Sequence, residues 1–402
     1  MRKQIVICGG GSSAHVLIPF LSGSDFDVSI LTSKPDAWSN EIEVQYQDVN
    51  QNVIEVYKGR LSKASNAPQD LIPEADYIIL CMPVSKYRMA LHEIAPYINK
   101  NKKVCIGTIY GQGGFNWMVD EIKSKYSLSD NIITFAFGLI PWICRIVEYG
   151  KVGVTYGCKA INVAAVAPHS YFDEMSKEFF DIICNKWFGK GKVVQADNFL
   201  SLTLSVDNQI IHTSRCLGLH KKYGGTWDSL DKVPMFYRDY DELSAQLLKD
   251  LDDDYSLIRE KIKELYPQKN FDYMLDYLAL ERLSYQSANT DIRESFVTSS
   301  TLGAIKTPVV ENNEGLWEID KNHRFFVDDI FYGNCIAKWI AEQLKLNTPT
   351  IDNVLRWAQL IRDEQILGEN NELLLESHDL KEPFKAGTPN LYGFSSIDDI
   401  VD

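Results

Sequence analysis

This chain of 402 residues has no C-x-x-C pair, no long apolar run and no basic excess, and each absence removes a class of reading. Its eight cysteines, Cys8, Cys81, Cys105, Cys144, Cys158, Cys184, Cys216 and Cys335, stand singly, most of them in apolar strand-like runs. That pattern speaks for buried, reduced thiols and a cytoplasmic protein. The longest apolar stretch, 132–143, is shorter than a bilayer requires and contains Pro141, with Arg145 close behind; it reads as a buried strand plus a loop. No signal peptide precedes the first apolar run, which again fits the cytoplasm. A formal net charge of −14 disfavours nucleic acid and anionic membranes as partners. There is no internal repeat and no low-complexity linker. The acidic run Asp250, Asp252, Asp253 and Asp254 lacks EF-hand spacing and its glycine turn, so it reads as a solvated helix face and no metal is expected.

What is present is a globular composition, 45% hydrophobic and 24% charged, over a length that suits two or three domains. An apolar β-run at Gln4 breaks into Gly9-Gly10-Gly11-Ser12-Ser13-Ala14, and a helical pattern follows through Val16, Leu17, Phe20 and Leu21. Strand, tight turn and helix N-terminus in that order suit a dinucleotide pyrophosphate. Gly9 allows the turn, Gly11 lets the backbone approach the phosphates, and Ala14 takes the small position where helix and strand pack. Gly10, Ser12 and Ser13 complete the loop, and free N–H groups at the helix start face the anion. The second strand ends Leu31-Thr32-Ser33-Lys34-Pro35, with Asp36 coming late. An acid at that end binds the ribose hydroxyls of NAD, so Ser33 and Lys34 lean towards the 2′-phosphate of NADP. Met82 and Pro83, after the next sheet strand, stand where the backbone meets the nicotinamide side; an ordinary strand-to-helix turn explains them equally.

Strands are expected at 4–8, 27–31, 77–82, 103–107 and 131–135, and helices at 15–21, 86–97 and 116–126. Apolar strands alternating with helices imply a doubly wound parallel sheet covered on both faces. Residues 41–57 alternate polar and apolar about Asp48-Val49-Asn50-Gln51-Asn52, as in a hairpin inserted after the second strand. Strands at 151–156 and 159–166, a helix at 171–187 and a strand at 192–195 complete this half. From about Asn198 the pattern is helical, over 200–219, 240–265, 271–287, 331–344 and 351–366. Apolar positions recur three and four apart, as in Leu243, Leu247, Leu251 and Ile258. Only 303–321, with Pro308, reads as a loop. The expected architecture is α/β: a Rossmann-type dinucleotide-binding domain over 1–198 and an all-α domain over 199–402, closely packed with a cleft between them.

Among seven histidines, His212 is the best acid–base candidate. It lies on the first helix of the second domain, one turn after Asn208 and on the same face. An imidazole with an ordinary pKa of about 6.5 exchanges protons near neutrality. His220, followed by Lys221 and Lys222, reads as exposed, and His323 and His378 lie in polar surroundings. The segment from Asn322 to Gly333 offers Arg324, which can bind a carboxylate bidentately. It also offers Asp329, which can accept from one imidazole nitrogen and fix its tautomer. A surface-loop salt bridge would use the same residues.

These pieces together resemble the opine dehydrogenase family, most nearly the octopine dehydrogenases of marine invertebrates. The resemblance runs over nearly the whole chain. It includes Cys8-Gly9-Gly10-Gly11 with Ala14-His15, Pro141-Trp142-Ile143-Cys144-Arg145-Ile146, Pro234-Met235-Phe236-Tyr237, Arg324-Phe325 with Asp328-Asp329-Ile330, Trp357-Ala358-Gln359 and Leu391-Tyr392-Gly393-Phe394. It implies an octopine dehydrogenase-like fold and NAD(P)H-dependent reductive condensation of a 2-keto acid, typically pyruvate, with the amino group of an amino acid. The resemblance assigns proton transfer to His212, its partner acid to Asp329 and the substrate carboxylate to Arg324. It places Gln112, in Tyr110-Gly111-Gln112-Gly113-Gly114-Phe115, near the keto acid. Closure of the cleft would shed water and protect the imine from hydrolysis.

The chain departs from octopine dehydrogenases where the substrates should bind. Asn208 stands for a tyrosine, and Leu139 for a hydroxyl residue near the keto acid. No tryptophan occurs around Asp276-Tyr277-Leu278, and Thr213 rather than proline follows His212. These changes speak against arginine as the amine and leave glycine, alanine, taurine and β-alanine open. The close invertebrate relatives use NADH without an acid after the second strand, which places NAD(H) ahead of NADP(H). A monomer or weak oligomer fits the family. Two other readings stay open. One is a 2-hydroxy acid or polyol-phosphate dehydrogenase of the same architecture, whose usual catalytic lysine is missing, since Lys221 and Lys222 come too late. The other is a non-catalytic NAD(P)-binding sensor, which would not need His212, Arg324 and Asp329.

Overall fold

A computed structural model describes residues 2–48, 50–299, 302–303, 305–374 and 386–401; His378 lies outside them. The chain parts into two compact units, Met1–Thr203 with Leu283–Gln286, and Leu204–Arg282 with Ser287–Asp402. The short return of Leu283–Gln286 to the first unit has no signature in composition.

The first unit is built on β1 (Lys3–Cys8), α1 (Ser12–Ser22), β2 (Phe26–Leu31), β3 (Glu41–Gln47), β4 (Val53–Ser65), β5 (Tyr77–Leu80), α2 (Tyr87–Ile94), β6 (Val104–Thr108), α3 (Phe115–Lys125), β7 (Ile132–Phe137), β8 (Trp142–Glu148), β9 (Val152–Cys158), β10 (Ile161–Ala167), α4 (Phe172–Met175) and β11 (Lys192–Gln195). Eleven strands form one sheet in the order β11-β10-β7-β6-β5-β1-β2-β4-β3-β9-β8. From β7 to β4 every pairing is parallel. Strands β5, β6 and β7 are buried throughout, as strands covered on both faces must be. Chain order reverses at β1, the switch point where such sheets hold ligands. Register aligns Cys8 with Leu80, Leu80 with Thr108, and Thr108 with Ala136. The turns after β1, β5, β6 and β7 therefore leave from one carboxyl edge.

The sheet is mixed rather than purely parallel. The β3–β4 hairpin and β8–β9 pair antiparallel on one side, and β10 runs antiparallel to β7 on the other. Strand β8 replaces the expected loop after residue 135. Only its first residues are buried, so no alternation marks it. The expected helix 171–187 runs as α4 and then as π-helical turns at Ser176–Phe180 and Ile182–Lys186.

The second half holds α5 (Phe199–Leu204), α6 (Asn208–Tyr223), β12 (Thr226–Trp227), α7 (Glu242–Leu265), α8 (Tyr277–Tyr285), α9 (Ile292–Val297), β13 (Val309–Glu311), β14 (Trp317–Ile319), α10 (Arg324–Asp329), α11 (Cys335–Gln343) and α12 (Pro349–Arg362). The expected helix 200–219 is two helices, because Asp207 accepts from Asn208 N–H and starts α6 afresh. Helix α8 starts later than expected, where Asp276 accepts from Ala279 N–H. The expected loop 303–321 contains β13 and β14, which join β12 in a small antiparallel sheet; strands this short carry no legible period. On α7, Leu247, Leu251 and Ile258 are buried, but Leu243 is exposed.

The acidic run on α7 corrects the expectation of a solvated face. Asp254 Oδ2 accepts from the Thr350 and Ile351 N–H groups (2.7 and 2.9 Å) and so caps α12. Asp252 Oδ1 accepts from buried Arg259 at 2.6 Å. All eight cysteines are buried and free. Among the described residues no helix is long and apolar enough to cross a membrane.

Candidate active site

The residues singled out in the sequence fall into two groups, one in each unit. In the first unit, Gly9 has φ +101°, and a Cβ there would stand 2.5 Å from the Cys81 carbonyl oxygen and 3.3 Å from Met82 Cβ. Only glycine fits that approach. Gly11 begins α1 in extended conformation, with no side-chain cap and no acid in the first turn. The first N–H groups of α1, at Ser12 and Ser13, are thus left for an anion. Ser13 also hydrogen-bonds the Cys81 thiol. Ala14 is fully buried, as close packing of helix and strand requires.

The sequence did not show which side chains surround this loop. His15 Nε2 accepts from Gly150 N–H at 2.8 Å, so Nδ1 carries the proton and donates to the Gly11 carbonyl at 2.9 Å. Burial holds this imidazole below its ordinary pKa. Tyr149, Trp38 and Thr32 wall Gly10, whose absent Cβ would meet the Tyr149 hydroxyl at 2.5 Å. Ser33 and Lys34 are exposed beside them, with Lys34 Nζ 5.8 Å from the Tyr149 ring centre. Among the described residues no acid pairs with Lys34. On the same carboxyl edge, Pro83 is exposed, Gln112 is fully buried and accepts from the Tyr110 hydroxyl at 2.9 Å, and Leu139 is buried after β7. The glycine turn and uncapped helix fit a dinucleotide pyrophosphate.

In the second unit, α6 and α10 bring together residues 117 positions apart. His212 is 2% exposed. Its Nδ1 lies 2.8 Å from Asp329 Oδ2, and its Nε2 lies 3.3 Å from the Tyr237 hydroxyl. The Phe325 ring stacks on the imidazole with centres 3.6 Å apart, and Phe236 approaches edge-on at 5.6 Å. Asn208, half-buried, sits one turn earlier on α6. Arg324 opens α10 and is exposed, with its guanidinium 5.2 Å from the Phe325 ring centre. Among the described residues it has no acidic partner, so it is not the surface salt bridge that spacing also allowed. His323 caps α10 through Nδ1, which accepts from Phe325 N–H at 3.5 Å. Both Tyr237 and His323 are additions to the site, and only the Phe236-Tyr237 motif hinted at the first.

Burial pushes the Asp329 carboxyl up to about 7, against the opposing pull of Arg324. Burial and the Arg324 charge hold His212 well below its ordinary value. Burial, Arg324 and His212 lower His323 to about 4. Asp329 and His212 share one hydrogen bond and titrate as a unit. With one proton, the pair is a carboxylate accepting from Nδ1–H, and Nε2 is a free base. A second proton, wherever it rests between Asp329 and Nδ1, leaves Nε2 carrying a hydrogen. The pair therefore accepts a proton at Nε2 in one state and offers one in the other, as general acid–base catalysis needs.

Residues 195–362 match a family model described as the α-helical domain of NAD/NADP octopine/nopaline dehydrogenases. The opine dehydrogenase of Haliotis discus hannai is 26% identical over 422 residues, spanning 100% of this chain and 99% of its own. The tauropine dehydrogenase of Arabella iricolor is 23% identical over 412 residues, spanning 99% of each. Octopine dehydrogenase, solved with NADH and L-arginine and with NADH and pyruvate, shares the fold at TM-scores of 0.81 and 0.80. Both comparisons have 21% identity and cover 99% of this chain and 98% of the other.

Proposed function

Because the chain belongs to the opine dehydrogenase family of NAD(P)-dependent oxidoreductases, we propose that it condenses a 2-keto acid, pyruvate first, with the amino group of an amino acid and reduces the product to a secondary amine. The observation that carries this reading is the His212–Asp329 pair, buried beneath Phe325, with the exposed Arg324 at the start of the same short helix.

When bound, the nicotinamide cofactor supplies the hydride. Gly9, Gly11 and the start of α1 hold its pyrophosphate, with Ser33 and Lys34 towards the adenosine ribose and Met82 and Pro83 towards the nicotinamide. Arg324 binds the keto acid carboxylate, with Gln112 and Leu139 at the keto group and Asn208 towards the amine. In its base form His212 Nε2 takes a proton from the attacking amine nitrogen. That proton passes to the former keto oxygen to give the carbinolamine, and a second proton, taken up from solvent by the pair, turns the hydroxyl into water, which departs and leaves the protonated imine for the hydride. Asp329 offsets the charge on the imidazole while the proton is held, and the buried stack on Phe325 keeps bulk water from Nε2. NADH is placed ahead of NADPH, supported by the NADH complexes of octopine dehydrogenase; the basic Lys34 end of β2 stands as the argument for NADPH.

The test is oxidation of NADH and of NADPH with pyruvate and a panel of glycine, alanine, taurine, β-alanine and arginine. Turnover is expected only when keto acid and amine are both present, with the higher kcat/KM for NADH. Equal turnover on pyruvate alone would make the protein a keto acid reductase instead. Arg324→Gln removes the carboxylate partner. A hydrogen bond to a charged group contributes about 1.5–3 kcal/mol, so kcat/KM for the keto acid should fall about 10- to 150-fold. The cofactor dissociation constant, read by fluorescence titration, should not move.

A further inference from the structure

Tyr237 stands at the one imidazole nitrogen left for substrate. Asp329 engages Nδ1, and among the described residues the two ring nitrogens bond only Asp329 and Tyr237. The tyrosine is 25 positions from His212 and does not lie on its helix. It is held by Arg215, one turn after His212 on α6 and fully buried. Arg215 Nε donates to the Phe236 carbonyl at 3.0 Å, and Nη2 donates to the Met235 and Asp239 carbonyls at 3.1 and 2.9 Å. Nη1 donates to Ser244 Oγ at 3.2 Å. Asp241 Oδ2, at 3.6 Å, is its acidic neighbour. A buried guanidinium is costly unless its donors are used. Here three of them tie down the backbone on both sides of Tyr237, from the same helix that carries His212. The register of the hydroxyl against Nε2 is thereby set by one rigid element.

We propose that Tyr237 is a positioning residue for the acid–base histidine: its hydroxyl, clamped by Arg215, donates to His212 Nε2 and reserves that lone pair for the substrate proton. The inference rests on His212 being the acid–base group of the proposed reaction. Among the described residues the groups facing the pair are Arg324 and His323 at the start of α10, Asp207 at the N-cap of α6, Cys216 on α6, and Tyr255 on α7. Of these, Arg324 and Asp207 act on the His212 imidazole through charge rather than a hydrogen bond, and His212 in turn lowers His323. The base form of the pair carries net negative charge, so a donated hydrogen bond favours it over the protonated, neutral pair.

Tyr237→Phe removes the hydroxyl and keeps the ring against Phe236 and Phe296. The pH at which the pair takes up a proton should rise by about 1 unit, the effect of one hydrogen bond to a charged group. Nitrogen NMR of the imidazoles in the cofactor-free protein reads this directly, with His212→Gln to identify the signal. The acid limb of kcat/KM should move the same way, with the KM for the cofactor unchanged. An unmoved His212 titration in the folded variant overturns the proposal, even if turnover falls. A moved titration in a protein that turns over no keto acid and amine overturns the proposed reaction instead, and leaves the role of Tyr237 standing.

Discussion

His212→Gln is expected to lower kcat by about 10²- to 10⁴-fold, the usual contribution of a positioned acid–base group. Glutamine keeps the length of the side chain and can still bond Asp329 and Tyr237, so α6 and α10 stay joined. What it lacks is a nitrogen that takes a proton and returns it. Because the glycine turn proposed to hold the pyrophosphate lies in the other unit, the cofactor dissociation constant should be that of the parent protein. Loss confined to kcat identifies proton transfer; a weakened cofactor or a lowered melting temperature would mean that His212 serves the fold. The neutral-range limb of the pH profile should vanish with the residue, since its cause is the buried pair.

The second large effect is expected at Asp329. In Asp329→Asn the new amide can donate to Nδ1, which puts the imidazole hydrogen on Nε2 and points the wrong atom at the substrate. It also leaves the imidazolium without its counter-charge. Loss of a carboxylate in the equivalent role costs up to about 10⁴-fold in kcat. The sign of the pH effect separates this from simple unfolding. A carboxylate raises the proton affinity of the imidazole beside it; removing it leaves burial and Arg324, both of which lower that affinity. The acid limb of kcat/KM should therefore move to lower pH on a lower plateau, opposite in direction to Tyr237→Phe. A pH profile that kept its shape at either variant would place the titrating group elsewhere.

The parts of this molecule legible in its sequence are those whose chemistry is local. The turn at Gly9 needs a positive φ and a close carbonyl, and both demands are written in adjacent residues. The buried strands of the parallel core announce themselves by continuous apolar runs. His212, Arg324 and Asp329 were singled out by their chemistry and given shared roles by the resemblance, but no period in the chain links positions 117 apart, so nothing in the spacing said that they meet. Strand β8 was missed since its outer half is exposed, and β13 and β14 because three residues cannot show a period. The acids on α7 were misjudged for a related reason. Whether Asp254 is solvated depends on where α12 begins, nearly a hundred residues later. Tyr237 and His15 belong to the same class: each acts through a bond to a residue that only the folded chain brings near.

His15 has a consequence for anyone who would re-engineer cofactor preference. Its imidazole bridges the Gly11 carbonyl and the Gly150 N–H, 135 positions away. The glycine turn is therefore not a cassette that can be transplanted together with the start of α1 as residues 9–15. A donor fingerprint taken from another dehydrogenase brings its own helix start but no counterpart for the β8–β9 turn. Such a graft strands one backbone donor in the interior, so the two segments have to be exchanged as a matched set.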